Sequence, residues 1–240
     1  MIKKESALPI YVQLEQGIKE LIEKQELKPG DSIPSEREFS ETYQISRMTV
    51  RQAITNLVND GILVRERGKG TFVAFRKIEQ KLKGLTSFTE NMKARGMLPS
   101  TKVLDLTLKQ ADPYLSKMLV VEEGALIYEI IRVRYADGVP IALETLFMSN
   151  DLVPKMTKEQ AENSIYEYLE NQLYLKINRG VQELEASVSK KEESAILGIK
   201  EGTPVLRIQR IGYLADGRPL ELAQSVYRGD LYKYTIELER

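Results

Sequence analysis

The segment from residue 34 to residue 70 constrains the fold of this chain more than any other stretch. It predicts two short helices separated by a tight turn at residues 44–45. Ser35 suits the N-cap of the first helix, and Ser46 suits the N-cap of the second. Behind Ser46, apolar residues recur at helical spacing along one face: Val50, Ala53, Ile54 and Leu57. This order of elements predicts a helix-turn-helix unit.

Further elements are predicted on both sides of this unit. Residues 9–25 show helical periodicity with Pro9 in the first turn, which is a favoured position for proline. Downstream, two short β-prone runs flank Gly68-Lys69-Gly70, a pattern typical of a hairpin. Three helices followed by a hairpin predict a winged helix-turn-helix domain over residues 1–75. The alternative is a small helical domain that carries a solvated, charged loop.

Charge supports the winged-helix interpretation only through its distribution. The formal net charge is zero, with 35 basic and 35 acidic residues, so overall charge gives no argument for nucleic-acid binding. Between residues 47 and 76, however, six basic residues stand against two acidic ones. Arg47, Thr49 and Arg51 fall off the apolar face near the start of the second helix, where a recognition helix meets base edges. The glycines beside Lys69 allow the ribbon tip to approach a backbone or enter a minor groove.

The absence of two residue types narrows the function classes. The chain has no cysteine, which excludes disulfides, thiolate metal sites and cysteine nucleophiles. It has no histidine, so serine–histidine catalysis and imidazole zinc sites are also excluded. We therefore expect no catalytic residues, no metal and no cofactor. No apolar run reaches the roughly 20 residues that a membrane span needs, and the N-terminus lacks a secretion signal, so a cytoplasmic protein is expected.

A second domain is expected from residue 84 to residue 240, after a polar linker at 76–83. A capping box opens it, with Glu90 three residues after Ser87. Further on, residues 119–144 resemble residues 197–222. Each copy has a Glu-Gly step, a β-rich run, an Ala-Asp-Gly turn and a proline two residues after that glycine.

These two hairpins predict a mostly antiparallel sheet covered by helices, which is an α+β domain. Additional strands are expected near residues 101–109, 180–188 and 232–239. Covering helices are expected near residues 112–119, 157–172 and 190–197.

Two arginines in the first hairpin form the candidate ligand site. Arg132 and Arg134 are two residues apart in a strand, so both point to one face. A two-residue Asp-Gly loop would place Ile141 and Leu143 on that face. A three-residue loop with Gly138 left-handed instead places them on the opposite face and brings Glu144 to the arginines. We prefer the three-residue loop because it buries a consistent apolar face.

Two arginines and a glutamate suit a small anionic ligand that also carries hydroxyl groups. On residue types alone, a surface salt-bridge cluster is an equally good interpretation. The start of a later helix adds to the site, since Ser164 is at a cap position and Tyr166 is in the first turn, where an anion is favoured. The alternative for that helix is a capped amphipathic helix with no ligand.

Four pieces of the first 75 residues resemble the DNA-binding domain of the GntR family of bacterial transcription regulators: PIYVQL, LKPGDSIPSERE, ISRMTVRQAI and DGILVRERGKGTFV. The resemblance implies that Arg37, Arg47 and Arg51 touch operator DNA with Thr49 nearby, and that the glycines of the wing enter the minor groove. The candidate DNA-binding residues are Ser35, Arg37, Ser46, Arg47, Thr49, Arg51, Gly68, Lys69 and Gly70.

Residues 84–240 resemble the effector-binding (UTRA) domain of the HutC subfamily of GntR regulators, whose fold is similar to chorismate lyase. The pieces GLTSFTENMKARGM, RVRYADGVPIALE, SIYEYLE and SVYRGDLY look most like repressors of N-acetylglucosamine utilisation, which respond to glucosamine 6-phosphate or N-acetylglucosamine 6-phosphate. By this resemblance the phosphate contacts are Thr89, Arg132, Arg134, Ser164 and Tyr166. The implied sugar contacts are Phe88, Glu144 and Tyr227, with Ser87, Glu221 and Arg228 as further candidates.

Three functions follow as hypotheses. The first is a homodimeric repressor that an effector releases from double-stranded operator DNA, with residues 84–240 also forming the dimer. A second keeps the repressor but changes the effector to another sugar phosphate or a carboxylate. The third is an enzyme with lyase-like chemistry, in which Glu144 would act as an acid. The absent histidines and the attached DNA-binding domain argue against the enzyme.

Overall fold

The computed structural model describes residues 2, 6–24, 26–75, 77–82 and 84–238. The chain separates into two compact units, residues 1–77 and residues 78–240. None of the helices in the described ranges combines the length and the apolar character needed to cross a bilayer.

The first unit is the predicted winged helix-turn-helix. Its elements are α1 (Ile10–Glu23), α2 (Glu36–Tyr43), α3 (Arg47–Asn59), β1 (Leu63–Glu66) and β2 (Gly70–Val73). The helices share one core that includes Leu14, Ile18 and Leu57, all fully buried. Strands β1 and β2 pair antiparallel, so the charged segment is a true hairpin and the helical alternative is wrong.

Local caps explain where the helices of this unit begin and end. Ser35 accepts a hydrogen bond from the backbone N–H of Glu38, whose carboxylate accepts one from the backbone N–H of Ser35. Ser46 caps α3 by accepting from the backbone N–H of Thr49. Between them, Gln44 adopts a left-handed conformation with φ of 52°, which ends α2 and makes the turn as tight as the sequence suggested.

The second unit is the predicted α+β domain. Its elements are β3 (Ile78–Lys81), α4 (Phe88–Lys93), β4 (Pro99–Gln110), α5 (Pro113–Leu119), β5 (Leu126–Ala136), β6 (Val139–Ser149), α6 (Lys158–Glu162), α7 (Ile165–Gln172), β7 (Ile177–Val188), α8 (Lys191–Leu197), β8 (Pro204–Leu214), β9 (Pro219–Arg228) and β10 (Tyr232–Thr235). Six strands form an antiparallel sheet in the order β4-β5-β6-β9-β8-β7. The helix expected over 157–172 is two helices, because the chain is extended at Asn163 and Ser164.

The internal duplication is longer than the sequence comparison indicated. The succession β4-α5-β5-β6 repeats as β7-α8-β8-β9, and the two copies meet where β6 pairs with β9 at the centre of the sheet. The strand order is therefore the same when read from either edge. This arrangement places Arg210 of β8 at the position that Arg132 occupies in β5.

The predicted three-residue loop between β5 and β6 is wrong, but the predicted position of Glu144 beside the arginines is right. Ala136 pairs with Val139, so the loop is the two-residue turn Asp137-Gly138, with φ of 50° and 78°. A register shift beyond Tyr135 then leaves Ile141 as a β-bulge. The bulge supplies the extra residue that we had placed in the loop, so Glu144 still faces Arg132.

The two faces of the sheet are covered by different helices. Ile130 and Leu146, on the arginine face, pack with Ile165 and Leu169 of α7. On the opposite face, α5 packs against β6 and β9. The arginine face is thus covered by helices, and these helices determine how far the candidate site is buried.

Part of the segment that we interpreted as a linker belongs to the second unit. Residues 78–81 form β3, which pairs in parallel with β10 from the end of the chain. The sequence there is polar because this two-stranded sheet is only partly buried. Arg76 and Lys83, also within the expected linker, lie outside the described residues.

Candidate functional site

The predicted DNA-contacting residues of the first unit form an exposed surface at the start of α3. Arg47 and Arg51 are exposed, Thr49 is half-buried, and the Thr49 hydroxyl lies 2.8 Å from the Ser46 hydroxyl. Ser46 is thus occupied in the cap of the helix. Ser35 has the same structural role in α2.

Glu36 organises two of the cations on this surface and was not among the predicted residues. Its carboxylate accepts a hydrogen bond from Arg51 Nε at 3.0 Å, lies 2.9 Å from Arg51 Nη2, and raises the pKa of Arg51. Arg65 Nη2 of the wing strand lies 3.5 Å from the same carboxylate. Glu36 therefore joins α2, α3 and β1. Glu36 and Arg51 are 15 residues apart, so no local pattern in the sequence could have identified their contact.

The tip of the wing has the conformation that its glycines require. Gly68 and Gly70 have φ of 79° and 131°, which residues with a Cβ rarely adopt. Lys69 is exposed between them and pairs with Glu66 at 2.9 Å. Arg37 is also exposed and pairs with Glu41 at 2.7 Å. Ion pairs this exposed are weak and leave both cations available to phosphates.

In the second unit, the predicted arginine–glutamate cluster is buried. Arg132, Arg134 and Glu144 are 5%, 3% and 6% exposed, so the interpretation as a surface salt-bridge cluster is wrong. Arg132 Nε donates to Glu144 Oε1 at 2.5 Å, its Nη2 lies 2.5 Å from the same oxygen, and its Nη1 donates to the carbonyl of Ala161 at 3.2 Å. Arg134 is held less firmly, because its Nη2 donates to Thr89 Oγ1 at 3.2 Å while its Nη1 is 4.0 Å from Glu144.

A second ion pair, which the sequence reasoning missed in part, completes the cluster. Arg210 Nη2 lies 3.2 Å from Glu221 Oε1, and the Tyr166 hydroxyl donates to the same oxygen at 2.6 Å. Glu221 is 1% exposed. The internal duplication was the signal that could have identified Arg210, because it matches Arg132 in the other copy.

The protonation states give the cluster a net positive charge. Burial alone would raise the pKa of Glu144, but Arg132 and Arg134 outweigh it and hold the pKa below its usual range. Burial, assisted by Arg132, lowers the pKa of Arg134 to about 10, so this arginine is still charged at neutral pH. With Arg132 and Arg210 each paired with a carboxylate, the charge of Arg134 is left without a close partner of its own.

Two donors in the cluster have no hydrogen-bond partner within the part of the chain that the structure describes. They are Arg134 Nε and Arg210 Nε, and both atoms are buried. An unsatisfied buried donor costs about 1–3 kcal/mol, and charged groups cost more. A ligand with acceptor oxygens would remove this cost.

The cluster lines a small cavity, which we call the anion cavity. Nine of the eleven predicted effector residues line it: Ser87, Phe88, Thr89, Arg132, Arg134, Glu144, Ser164, Tyr166 and Glu221. Ser164 caps the eight-residue helix α7, whose first N–H groups have no intrahelical partners and favour an anion. The arrangement therefore combines the three guanidinium groups of Arg132, Arg134 and Arg210, hydroxyls and a helix N-terminus around one space.

A second small cavity, the tyrosine cavity, shares lining residues with the first. Phe88, Glu144 and Arg210 line both cavities. Tyr227, the tenth predicted residue, lines the tyrosine cavity with Tyr232 and Tyr234, which were not predicted. Arg228, the eleventh, lines neither cavity and instead pairs with Asp230 at 2.6 Å. Its side chain follows the alternation of β9 to the opposite face from Tyr227.

Comparison with known proteins supports the same two-part organisation. Residues 10–73 match the model for the bacterial regulatory proteins of the gntR family, and residues 94–233 match the UTRA domain. The chain is 44% identical over 239 residues to the HTH-type transcriptional repressor NagR of Bacillus subtilis, covering 100% of this chain and 98% of NagR. It is 34% identical to MngR of Escherichia coli, the mannosyl-D-glycerate transport/metabolism system repressor, over 97% of both chains.

The solved structures agree with the sequence relatives. PhnF from Mycobacterium smegmatis matches 96% of this chain and 99% of its own, with a TM-score of 0.69 at 31% identity. The family relationship read from the sequence motifs is thus confirmed, and it places the chain among regulators rather than enzymes. With an N-terminal helix-turn-helix unit followed in sequence by a UTRA domain, the chain belongs to the GntR family of bacterial transcription regulators.

Proposed function

We propose that this regulator is a homodimeric repressor that a sugar phosphate, such as glucosamine 6-phosphate or N-acetylglucosamine 6-phosphate, releases from its operator. The observation that carries the proposal is the buried charge of Arg134 in the anion cavity, which has only a distant carboxylate at 4.0 Å and whose Nε lacks a hydrogen-bond partner among the described residues. An amino-sugar effector is supported by the full-length similarity to NagR and by the sequence motifs of residues 84–240.

The anion cavity has the chemistry that a phosphate monoester needs. A guanidinium group offers planar, paired donors to phosphate oxygens, and such charge-assisted bonds are about twice as strong as neutral ones. Thr89 and Tyr166 add hydroxyls, and Ser164 adds the helix terminus. Glu144 and Tyr227 remain to contact sugar hydroxyls from the side where the two cavities meet.

On the DNA side, we propose that Arg47 and Arg51 read base edges while Arg37 and Lys69 contact phosphates. One module of this size contacts few base pairs, so a dimer on two half-sites supplies the specificity. The effector then has to favour an arrangement of the domains in which the spacing of the two recognition helices does not match the spacing of the half-sites. A coupling of about 1–3 kcal/mol changes operator affinity 5- to 150-fold. Because its target is chromosomal DNA, we place the protein in the cytoplasm.

A second candidate effector is a carboxylate. MngR is named for mannosyl-D-glycerate, which carries a carboxylate on a sugar, and a guanidinium fork binds carboxylates as well as phosphates. This candidate uses the same Arg134 and differs only in the anion.

The test is operator release by defined ligands. A duplex that the full-length protein binds is first selected from random-sequence duplexes. Release of the protein from this selected duplex is then measured by fluorescence anisotropy with each ligand. We expect glucosamine 6-phosphate and N-acetylglucosamine 6-phosphate to weaken DNA binding at least about fivefold, while N-acetylglucosamine without phosphate has no effect. Release by mannosyl-D-glycerate alone would favour the carboxylate. Absence of release by every anionic ligand in the panel would refute the proposal.

We expect Glu36→Gln to weaken specific DNA binding about 5- to 30-fold, because Arg51 loses the carboxylate that orients it. The measurement is anisotropy with the selected duplex and with a scrambled duplex of equal length. Asp60→Asn is the matched control, since the exposed Asp60 of the same domain pairs with Lys19, which is not among the predicted DNA contacts. A gain in affinity for both duplexes would instead mean that Glu36 acts only through its negative charge.

A further inference from the structure

The outward face of helix α3 carries two exposed side chains that are not among the predicted DNA contacts. Met48 and Gln52 are four residues apart, so they lie one above the other, about 6 Å apart along the helix axis. Met48 is 68% exposed, more than any other large apolar side chain described in the first unit. Gln52 is also exposed, and its side chain makes no hydrogen bond within the part of the chain that the structure describes. Both side chains are therefore available to a ligand.

The position of this pair relative to Arg51 determines what it can contact. Successive residues are about 100° apart around an α-helix, so Met48 projects between Arg51 and Gln52. Arg51 is oriented by Glu36, whose carboxylate lies 2.9 Å from Arg51 Nη2. If α3 presents Arg51 to base edges, it presents Met48 and Gln52 to the same groove.

The available side chains are confined to the first two turns of α3. Thr55, three residues beyond Gln52, is half-buried, and its hydroxyl accepts a hydrogen bond from Arg65 Nη2 at 3.1 Å. Thr55 thus holds the wing strand against α3. The N-terminal part of a recognition helix is the part that contacts base edges, so Met48 and Gln52 lie where sequence is read.

The two side chains favour different bases of the same kind of base pair. A glutamine amide bonds bidentately to N6 and N7 of adenine, and no other base offers that combination of donor and acceptor in the major groove. A methionine side chain makes apolar contact instead, and the C5-methyl group of thymine is the apolar group on the floor of that groove. Base pairs rise about 3.4 Å per step, so an offset of about 6 Å reaches pairs within roughly two steps.

We propose that Met48 and Gln52 read A·T base pairs in the major groove, beside the positions that Arg47 and Arg51 read. This inference rests on the proposed function, because it takes α3 as the helix that enters the groove. It adds that each half-site contains A·T pairs in which Met48 contacts a thymine methyl group and Gln52 bonds an adenine. Since arginine favours guanine, the four side chains together distinguish both kinds of base pair.

The test removes single groups from the DNA. In each half-site of the selected duplex, thymines are replaced one at a time by deoxyuridine, which lacks only the C5-methyl group. Adenines are replaced one at a time by 7-deaza-adenine, which lacks the N7 acceptor. Anisotropy with the full-length wild type should show a loss of about 3- to 5-fold at one thymine, as for one apolar methyl group. At one adenine the expected loss is about 5- to 30-fold.

The variants Met48→Ala and Gln52→Ala then identify the side chains that contact these bases. Met48→Ala should weaken binding to the unmodified duplex and show no further loss on the sensitive deoxyuridine duplex. Gln52→Ala should show the same pattern with the sensitive 7-deaza-adenine duplex. Alanine is the most favourable residue in a helix, so both variants are expected to fold.

Asn59→Ala is the matched control, because Asn59 is an exposed amide in the last turn of the same helix. It should bind as the wild type does and keep both sensitivities. Met48 and Gln52 variants that remain as sensitive to the modified bases as the wild type would overturn this inference and leave the proposed function standing, and so would half-sites without A·T pairs. Wild-type protein that does not distinguish the selected duplex from the scrambled one would instead overturn the proposed reading of bases by α3.

Discussion

Arg134→Met abolishes the response to phosphosugar while operator binding and folding persist. Arg134 is the arginine whose charge lacks a close carboxylate, since Glu144 is 4.0 Å from its Nη1 and is already engaged by Arg132. Removing it leaves no buried carboxylate unpaired. It also removes a buried cation whose desolvation is costly, so we expect the free energy of unfolding to stay equal or rise.

The expected loss of effector affinity is at least about 100-fold. A phosphate at this position would accept two or more charge-assisted bonds from Arg134, and each is worth about 1.5–3 kcal/mol. Calorimetry on the full-length variant measures the affinity, and anisotropy with the selected duplex checks that DNA binding is retained. Arg218→Met is the matched control, because Arg218 is an exposed arginine of the same domain that pairs with Asp216. A variant that responds at the wild-type effector concentration would show that the anion binds elsewhere.

The elements of this chain were predictable from local signals, because caps and periodicity are properties of short segments. Ser35, Ser46, Ser87 and Ser164 each begin a helix where the sequence places one. The sequence predicted both a cap at Ser164 and one helix near 157–172, and the structure keeps the cap but ends the preceding helix at Glu162.

The site was predictable in its residues but not in its environment. Arg132, Arg134 and Glu144 share a face by strand alternation, yet their burial depends on α6 and α7, which are distant in sequence. The β-bulge at Ile141 shows the same limit, since loop length and bulge compensate for each other and the pattern of apolar residues is unchanged. Arg210 enters the site only because the duplicated halves meet at the β6–β9 pair.

Arg132→Ala destabilises the second domain more than any exposed substitution would, by about 3–5 kcal/mol, because it leaves Glu144 buried without its main partner. Urea unfolding of the full-length variant measures the loss. Any change in effector response of this variant therefore mixes binding with folding, which makes Arg134→Met the cleaner test of the ligand site.

The double substitution Arg132→Met with Glu144→Leu separates the two causes. Replacing both members of a buried pair by apolar side chains of similar size is often neutral, so we expect most of the lost stability to return. If the double variant is as unstable as Arg132→Ala, the loss comes from packing or from the bond to the Ala161 carbonyl rather than from the unpaired charge.

The pH dependence gives an independent check with a definite sign. In the wild type the pKa of Glu144 is lowered, so its contribution to stability is present above the unfolded pKa of about 4.3 and is lost only as the pH falls through the lower folded value. Without Arg132, the pKa of Glu144 rises from its wild-type value, because burial still raises it and one of the charges that lower it is gone. The penalty of Arg132→Ala is then full above the pKa of Glu144 in the folded variant and vanishes below its lowered pKa in the folded wild type, because the unfolded pKa is common to both proteins. Urea midpoints at pH 7 and pH 5 should therefore differ less between variant and wild type at pH 5, and an unchanged difference would exclude the carboxylate as its source.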